Sequence, residues 1–311
     1  MEQNFTDAYD RIRSGGLGFI RMPRGIVAVH GKEAVQFLNG LITNDVAKLN
    51  DGDQMLAAFP NAQGRLIAVV RVARIGDRFI FETEEATREK VYNNLFRFTF
   101  AGDFFVEDLH ESYRFFSIAG EMTDGASLPE GSIVLDSRLG RDVLVPATEA
   151  ENFVEDLRRI DAVEISPELY ETLRIEAGIP LYGVDMDETT IVPELDLDGM
   201  ISYNKGCYIG QEIIARIHFR GHVAKQLTGI VFASAPGQQA ETRPVGSVSP
   251  EATELETADG KNAGRITSVT FSPKLGKTVA LAYVRYDHLA EGTELYANDL
   301  PAIVKPLPFV S

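Results

Sequence analysis

The chain has 311 residues, and its 46 acidic side chains outnumber its 30 basic ones to give a formal net charge of −16 at pH 7. Hydrophobic residues make up 44% of the chain and charged residues 24%, a balance that is typical of soluble globular proteins and excludes a chain disordered throughout. Bulk binding of nucleic acid is not expected, because contacts with phosphates require concentrated lysine and arginine.

The length predicts two or three domains with a substantial buried core. The single cysteine, Cys207, excludes an intrachain disulfide and a four-cysteine metal cage, which indicates a reducing compartment. The N-terminus lacks a basic segment followed by an apolar run, and no stretch approaches the ~20 apolar residues that span a bilayer. These features predict a cytoplasmic protein without a membrane partner.

The first two thirds of the chain alternate between strand and helix patterns. Apolar residues recur at helical spacing over residues 32–41 and 84–98, and further helices are predicted over 147–158 and 167–177. Runs rich in β-branched and aromatic residues predict strands at 25–30, 54–59, 65–74, 78–83, 103–109, 114–119, 132–136 and 143–146.

The last third of the chain has a different character. Strand patterns are found at 227–232, 264–271, 278–286, 293–297 and 302–305, and the connections between them are rich in Gly, Pro, Asp and Asn. Several short strands without a helical pattern predict a small antiparallel barrel. The domain boundary is therefore expected near Gly221.

Cys207 lies between two glycines beside an abrupt change of charge. The preceding stretch, residues 182–198, has six acidic residues and no basic one: Asp185, Asp187, Glu188, Glu194, Asp196 and Asp198. Residues 201–228 carry four basic side chains against Glu212 alone: Lys205, Arg216, Arg220 and Lys225. Positive neighbours favour a thiolate, which is the nucleophilic and metal-binding form of cysteine. The alternative is a free cysteine buried as a small hydrophobe.

A zinc site is one alternative use of this cysteine. Cys207, His218 and His222 have the order Cys-x10-His-x3-His, but Gly221 lies between the histidines and a fourth ligand is missing. Structural zinc sites are almost always four-coordinate, so this interpretation is not favoured.

Three acidic or amide residues also have two interpretations. Asn44 and Asp45 follow the first predicted helix and are typical of residues that cap a turn through backbone hydrogen bonds. Glu194 has apolar neighbours and follows a proline. It is either a half-hidden carboxylate that accepts hydrogen bonds from the edge of a ring ligand or an exposed loop acid, and its residue type favours the second.

Residues 205–212 carry a resemblance to a known family. Lys205-Gly-Cys-Tyr-Ile-Gly-Gln-Glu212 is similar to the Lys-Gly-Cys-Phe/Tyr-x-Gly-Gln-Glu signature of the YgfZ family, folate-binding relatives of the glycine-cleavage aminomethyltransferase. Residues 31–46, which end in Thr-Asn-Asp-Val, resemble the N-terminal helix and Thr-Asn-Asp segment of the superfamily. Residues 174–183 resemble its Arg-x-Glu-x-Gly-x-Pro-x-Tyr-Gly segment. Arg216 and Phe219-Arg220-Gly221 continue the YgfZ-like pattern.

The resemblance implies an α+β fold of the GcvT-like type, a three-domain cloverleaf around a central tetrahydrofolate cavity. Two interleaved α+β domains would cover 1–222, one formed by roughly 1–50 plus 112–222 and the other by 51–111. A C-terminal antiparallel β-barrel would cover 223–311.

The resemblance also implies which residues form the site. Cys207 would be the reactive residue, as a nucleophile or as a transient iron ligand, and no other metal ligand is assigned. The rest of the signature comprises Lys205, Gly206, Tyr208, Gly210, Gln211 and Glu212. Tetrahydrofolate or a derivative would contact Asn44, Asp45, Tyr182, Glu194, Arg216 and Arg220. The two arginines would either bind its glutamate tail or, like Lys205, favour the thiolate form of Cys207.

Two departures from the aminomethyltransferase indicate the function. The Lys-Asp pair of the transferase falls at Lys90-Val91, so the aspartate is replaced by a residue with no proton to exchange. Its Gly-Tyr-Thr-Gly-Glu segment is reduced to Ser137-Arg-Leu-Gly-Arg-Asp142. The resemblance therefore implies a folate-dependent accessory protein that serves iron–sulfur enzymes or their assembly factors, including enzymes that thiomethylate tRNA. The alternatives are a tetrahydrofolate-dependent aminomethyltransferase or demethylase, and a non-catalytic scaffold that binds a partner.

Overall fold

The computed structural model describes residues 2–122, 127–233 and 253–310. Its six described α-helices are α1 (Glu2–Arg13), α2 (Ala34–Asn39), α3 (Arg88–Phe96), α4 (Ala150–Arg159), α5 (Pro167–Glu176) and α6 (Gln211–Arg220). Two compact units are distinguished by their internal contacts. Unit 1 comprises residues 1–166 and 197–215, and unit 2 comprises residues 167–196 and 216–311.

Unit 1 contains ten of the described strands. They are β1 (Gly18–Met22), β2 (Arg24–His30), β3 (Gln54–Pro60), β4 (Leu66–Ile75), β5 (Arg78–Glu84), β6 (Phe105–Asp108), β7 (Tyr113–Ala119), β8 (Ile133–Ser137), β9 (Gly140–Pro146) and β10 (Val163–Glu164). They form two five-stranded sheets, in the orders β3-β4-β5-β2-β6 and β10-β1-β7-β9-β8. All pairs are antiparallel except β1 with β10.

The first sheet of unit 1 buries one face against α2 and α3. Strand β4 alternates buried and half-buried residues, as a strand with one covered face does. Phe59 and Phe81 are buried on this face, and Leu38 of α2 and Leu95 of α3 are both 0% exposed in the same cluster. The segment that follows α2, residues 40–46, is part of this core, because Leu41, Ile42 and Val46 belong to the same buried cluster.

Arg71 joins the two sheets of unit 1. Its Nε donates to Glu82 of β5 over 2.7 Å, and its Nη1 donates to Asp142 of β9 over 2.6 Å. Arg24 of β2 also donates to Glu82, so a carboxylate that is only 1% exposed is shared by two guanidinium groups. Buried charges are tolerated when they are paired in this way.

Unit 2 is built on a closed barrel. Its six described strands are β11 (Lys225–Phe232), β12 (Glu254–Glu256), β13 (Asn262–Ser272), β14 (Lys277–Arg285), β15 (Glu294–Ala297) and β16 (Leu300–Lys305). They pair antiparallel in the order β11-β14-β13-β12-β15-β16, and β16 returns to β11. Closure removes the exposed sheet edges that would otherwise pair with other chains.

Helix α5 packs on strand β13 of the barrel through buried polar side chains. Thr172 Oγ1 lies 2.8 Å from Thr270 Oγ1, and Arg174 Nη2 donates to Ser268 Oγ over 2.8 Å. Glu176, one helical turn beyond Thr172, accepts a hydrogen bond from Ser272 Oγ. The Arg-x-Glu segment recognised in the sequence therefore has a structural role in unit 2.

The predicted α+β fold with a C-terminal antiparallel barrel is confirmed. The boundaries of the three predicted domains stay a prediction. Two helices, α1 and α6, were not predicted, and the helix expected over 84–98 divides into a 3₁₀ turn at Glu85–Thr87 and α3. Within the described ranges, no helix is long and apolar enough to cross a membrane.

Candidate functional site

Cys207 is exposed, on the loop that leads into α6. This corrects the alternative in which a free cysteine packs as a small buried hydrophobe. The next residue, Tyr208, is only 8% exposed and anchors the loop in unit 1. The signature therefore combines an accessible thiol with a buried aromatic neighbour.

Two residues of the signature bind the segment that follows α2. Lys205 Nζ donates to the carbonyl oxygens of Ile42 over 2.8 Å and of Asn44 over 2.6 Å. The Ile209 backbone N–H donates to the Gly40 carbonyl over 3.1 Å. Two motifs that lie some 160 residues apart in the sequence are thus joined in one site of unit 1.

Thr43 and Asn44 bind the residues just before the signature. Thr43 Oγ1 donates to the Met200 carbonyl over 2.7 Å, and Asn44 Nδ2 donates to the Gly199 carbonyl over 2.6 Å. Asn44 Nδ2 also donates to the Leu56 carbonyl over 2.8 Å. Because both N–H bonds of the amide are used within unit 1, Asn44 is a positioning residue here.

Asp45 caps the short 3₁₀ turn that begins at Val46, as its sequence context predicted. Its Oδ1 accepts hydrogen bonds from Asn39 Nδ2 over 2.8 Å and from the Ala47 backbone over 3.2 Å. Its Oδ2 faces Lys48 Nζ at 3.9 Å. The hydrogen bonds to Oδ1 therefore fix the orientation of the Asp45 carboxylate, and a ligand that reached this residue would contact Oδ2.

Burial changes the charge balance around the thiol. It lowers the pKa of Lys205 to about 8, against an opposing contribution from Asp45. Burial likewise raises the pKa of Tyr208 to about 12, and Tyr203 adds to the effect. The lowered pKa of Lys205 works against the positive charge that the sequence assigned to this side chain.

Gly210 permits the close approach of the signature to the β3–β4 turn. Its φ is +80°, and a Cβ at this position would lie within 3.0 Å of the Asn61 carbonyl oxygen. Both the backbone conformation and the contact exclude a side chain.

We expect Gly210→Ala to lower the free energy of unfolding by roughly 1–3 kcal/mol, since strained backbone and a displaced turn both cost energy. The matched control is Gly206→Ala, where an added Cβ meets nothing within 4 Å and the φ is not positive. Urea denaturation of both variants measures the difference. Equal stabilities would show that Gly210 is not required for the close packing of the loop.

Two of the predicted folate contacts lie in unit 2 and are buried. The Tyr182 hydroxyl donates to Glu188 Oε2 over 3.0 Å. Glu194 lies in a 3₁₀ turn, Val192–Leu195, and is 4% exposed, with its Oε2 accepting from the Ile191 backbone over 3.3 Å. The interpretation of Glu194 as an exposed loop acid is therefore wrong, because the turn directs its side chain inward.

The predicted basic residues Arg216 and Arg220 lie one turn apart on the exposed surface of α6, beyond Gln211 and Glu212 at its start. His222, a member of the zinc alternative, stacks on Tyr286 with a centroid distance of 3.6 Å. Within the described residues, no three His, Cys, Asp or Glu side chains are grouped to hold a metal ion.

Sequence reasoning missed the buried ion pair of unit 2. Arg174 and Asp185 are 1% and 0% exposed, and Arg174 Nη1 donates to Asp185 Oδ2 over 2.8 Å. Asp185 also accepts hydrogen bonds from Ser268 and the Leu181 backbone. Arg174 belongs to a recognised motif, which was the available signal, but charged residues are rarely fully buried and nothing local marked these two.

Comparison with known proteins gives the family. The GCVT N-terminal domain model matches residues 23–123, and the model of the glycine cleavage T-protein C-terminal barrel domain matches residues 239–310. The tRNA-modifying protein YgfZ of Escherichia coli O157:H7 is 27% identical over 91% of this chain and 90% of its own length. The iron-sulfur cluster assembly factor IBA57 homolog of Mycosarcoma maydis is 26% identical over 89% of this chain and 75% of its own.

This chain is a YgfZ-type member of the GcvT-like family. An aminomethyltransferase of Rubrobacter xylanophilus is also similar, at 27% identity over 92% of the YgfZ-type chain and 80% of its own. The crystal structure of glycine cleavage system aminomethyltransferase T from Bartonella henselae superposes with a TM-score of 0.81 at 18% identity, covering 97% of this chain and 89% of that one. The GcvT-like fold predicted for the chain is thereby confirmed.

Val91 stands where the resemblance places the aspartate of the transferase. Val91 lies in α3, is 0% exposed and packs in the core of unit 1. A buried valine accepts and donates no proton, so this position supplies packing in place of acid–base chemistry.

Proposed function

We propose that this YgfZ-type chain is a folate-dependent accessory protein for the synthesis or repair of iron–sulfur enzymes, including enzymes that thiomethylate tRNA. Two relatives that span most of the chain support this, one named a tRNA-modifying protein and the other an iron–sulfur cluster assembly factor. The observation that carries the proposal is the exposed thiol of Cys207 on a loop bound to residues 40–44. A reducing compartment, the cytoplasm, suits such a thiol.

The reactive group in this proposal is the Cys207 thiol, acting as a nucleophile or as a transient iron ligand. Both roles require the thiolate and access to the partner. The hydrogen bonds of Lys205 and Ile209 order the loop before any partner arrives, so the conformational entropy of ordering it is not lost at the moment of binding. An exposed thiol on an ordered loop can therefore reach into a client enzyme.

Each unit by itself offers some of the side chains that would bind tetrahydrofolate. Glu194 of unit 2 is a buried carboxylate whose Oε2 already accepts from the Ile191 backbone N–H, and it would accept a further hydrogen bond from the amidine-like edge of the pterin. Asp45 of unit 1 would offer Oδ2 in place of its 3.9 Å contact with Lys48. Arg216 and Arg220 would meet the glutamate tail. When bound, tetrahydrofolate supplies nitrogen atoms that carry one-carbon units. Asn44 is assigned to positioning, because its amide donors are used within unit 1.

Complementation of a strain that lacks the gene tests the proposal. We expect the wild-type chain to restore the activity of an enzyme with a four-iron cluster, measured against a cluster-free enzyme, and Cys207→Ala to leave that activity near the level of the deletion strain. Lys261→Ala, at a residue that is 78% exposed and lies outside the signature and the predicted folate contacts, is the control and should complement. Full restoration by Cys207→Ala would show that the thiol is not required.

The second candidate is a tetrahydrofolate-dependent aminomethyltransferase or demethylase, favoured by the aminomethyltransferase relative in Rubrobacter xylanophilus. Against it stands Val91, which offers no acid or base. Turnover of glycine-cleavage intermediates, sarcosine or dimethylglycine by the purified chain with tetrahydrofolate would establish this activity.

A further inference from the structure

A cavity of about 440 Å³ lies in unit 1 between the β1–β2 and β6–β7 connections. Volumes of this size fall in the range of about 300–1,000 Å³ that small-molecule sites occupy. None of its lining residues belongs to the signature or to the predicted folate contacts. Its lining includes three arginines and a histidine against one glutamate, within a chain of net charge −16.

The guanidinium group of Arg114 is fixed in this cavity. Its Nη1 donates to the carbonyl oxygens of Tyr113 over 2.9 Å, of His110 over 3.2 Å and of Glu111 over 3.2 Å. Its Nη2 lies 3.6 Å from the carboxylate of Glu111, a side chain that is 85% exposed. A contact of that length to an exposed acid is weak, so an incoming anion can replace it.

Arg21 offers a second guanidinium group with an exchangeable partner. It is 50% exposed and pairs over 2.6 Å with Glu151, which is 79% exposed. Exposed ion pairs contribute little stability, so Arg21 can leave Glu151 for a ligand of higher charge. Arg24, by contrast, keeps its pair with the buried Glu82 and contributes a fixed wall of the cavity.

His110 lines the cavity, and its hydrogen bond defines the tautomer of its ring. Its Nδ1 lies 3.1 Å from the Arg24 carbonyl, which can only accept, so Nδ1 carries the proton and donates. The other ring nitrogen, Nε2, lies 4.0 Å from the Glu111 carboxylate. In this tautomer Nε2 is an acceptor, so His110 lines the cavity without donating to an anion.

The remaining wall is apolar and includes Met22, Pro23, Ile26 and Phe115. Phe115 is held in place by the guanidinium groups of Arg24 and Arg71, whose Cζ atoms lie 5.2 and 5.7 Å from its ring centroid. Ile26 and Phe115 are only 2% and 3% exposed, so Met22 and Pro23 supply the accessible apolar surface of this wall. Apolar surface beside cationic side chains matches a ligand with a flat apolar part and a compact dianionic part.

We propose that this cavity binds a small phosphate monoester that carries a flat apolar group, of the class of nucleoside monophosphates. Arg21 and Arg114 contact the phosphate, and the apolar wall contacts the base. The site is separate from Cys207 and independent of the proposed function.

Calorimetric titration of the full chain with adenosine monophosphate, adenosine and inorganic phosphate tests the proposal. We expect saturable binding of the nucleotide and weaker binding of each fragment, because each lacks one half of the contacts. Absence of nucleotide binding up to about 1 mM would overturn the proposal. Equal affinity for adenosine would refute the phosphate contacts, and equal affinity for phosphate would refute the apolar ones.

Variants locate the binding. We expect Arg21→Ala to weaken nucleotide binding about tenfold, the loss typical of one charge-assisted hydrogen bond. Arg141→Ala is the matched control, since Arg141 is also half exposed, is paired with the exposed Asp136 and lies outside the cavity. Arg114→Ala should abolish binding, with circular dichroism to verify folding. Equal affinities of Arg21→Ala and Arg141→Ala would overturn the assignment.

Discussion

Glu82→Gln is expected to lower the free energy of unfolding by about 3–5 kcal/mol, the cost typical of removing one partner from a buried ion pair. The carboxylate of Glu82 is shared by Arg24 and Arg71, whose side chains are only 19% and 16% exposed. An amide at this position leaves two guanidinium groups without a full counter-charge. Since Arg71 also joins the two sheets through Asp142, the loss affects the whole of unit 1.

The same carboxylate gives the wild-type chain an acid-sensitive contribution to stability. Burial by itself raises the pKa of Glu82, but Arg24 and Arg71 outweigh it and lower this pKa from 4.5 to about 2. A carboxylate with a lowered pKa stabilises the fold above its unfolded pKa, and the stabilisation is lost as the pH falls through the folded one. The wild-type chain should therefore lose this contribution between about pH 4.5 and pH 2, whereas Glu82→Gln should not.

Urea denaturation at pH 7, 4.5 and 3 measures both effects. Glu151→Gln is the matched control, because Glu151 also pairs with an arginine but is 79% exposed, and its loss should change stability by less than about 1 kcal/mol. If Glu82→Gln and Glu151→Gln had equal stabilities at pH 7, the buried network would not support unit 1.

Arg174→Met is expected to destabilise unit 2 by about 3–5 kcal/mol. Methionine preserves much of the side-chain volume but removes the donors to Asp185, Ser268 and the Ile179 carbonyl. Asp185 is 0% exposed, and without Arg174 it becomes a buried carboxylate with no cationic partner. The penalty comes mainly from that remaining charge.

The stability of Arg174→Met should be compared with that of Arg285→Met, an exposed arginine at the end of β14 that donates to Asn262. The control should change the free energy of unfolding by about 0.5 kcal/mol or less. Wild-type stability in Arg174→Met would mean that the helix α5 and strand β13 contacts are independent of this ion pair.

The sequence predicted the barrel well, because short strands separated by glycine, proline, aspartate and asparagine are a local signal. Helix α1 was missed although Phe5, Ala8, Tyr9 and Ile12 have helical spacing, a pattern that was present in the sequence. The barrel strands that were predicted and the helix that was missed both have a pattern that is contained within a few neighbouring residues.

The site was only partly predictable, for a physical reason. The signature around Cys207 was recognisable as a motif, but the partners of Lys205 are backbone carbonyls about 160 residues earlier, which only the fold brings near. The same holds for Glu194, whose burial depends on the direction of a 3₁₀ turn. Charged side chains such as these usually lie at the surface, and the tertiary structure overrides that preference here.

The rate of Cys207 alkylation tests the proposal that this thiol acts beside bound tetrahydrofolate. Because Cys207 is the only cysteine, iodoacetamide labelling followed by mass spectrometry reports on this thiol alone. Under anaerobic conditions, we expect tetrahydrofolate to slow the labelling of Cys207. Half of this effect should be reached at the dissociation constant that calorimetry gives for tetrahydrofolate. Glutamate should have no effect on the labelling rate. If tetrahydrofolate does not bind, or binds without changing the labelling rate, Cys207 does not act beside bound tetrahydrofolate.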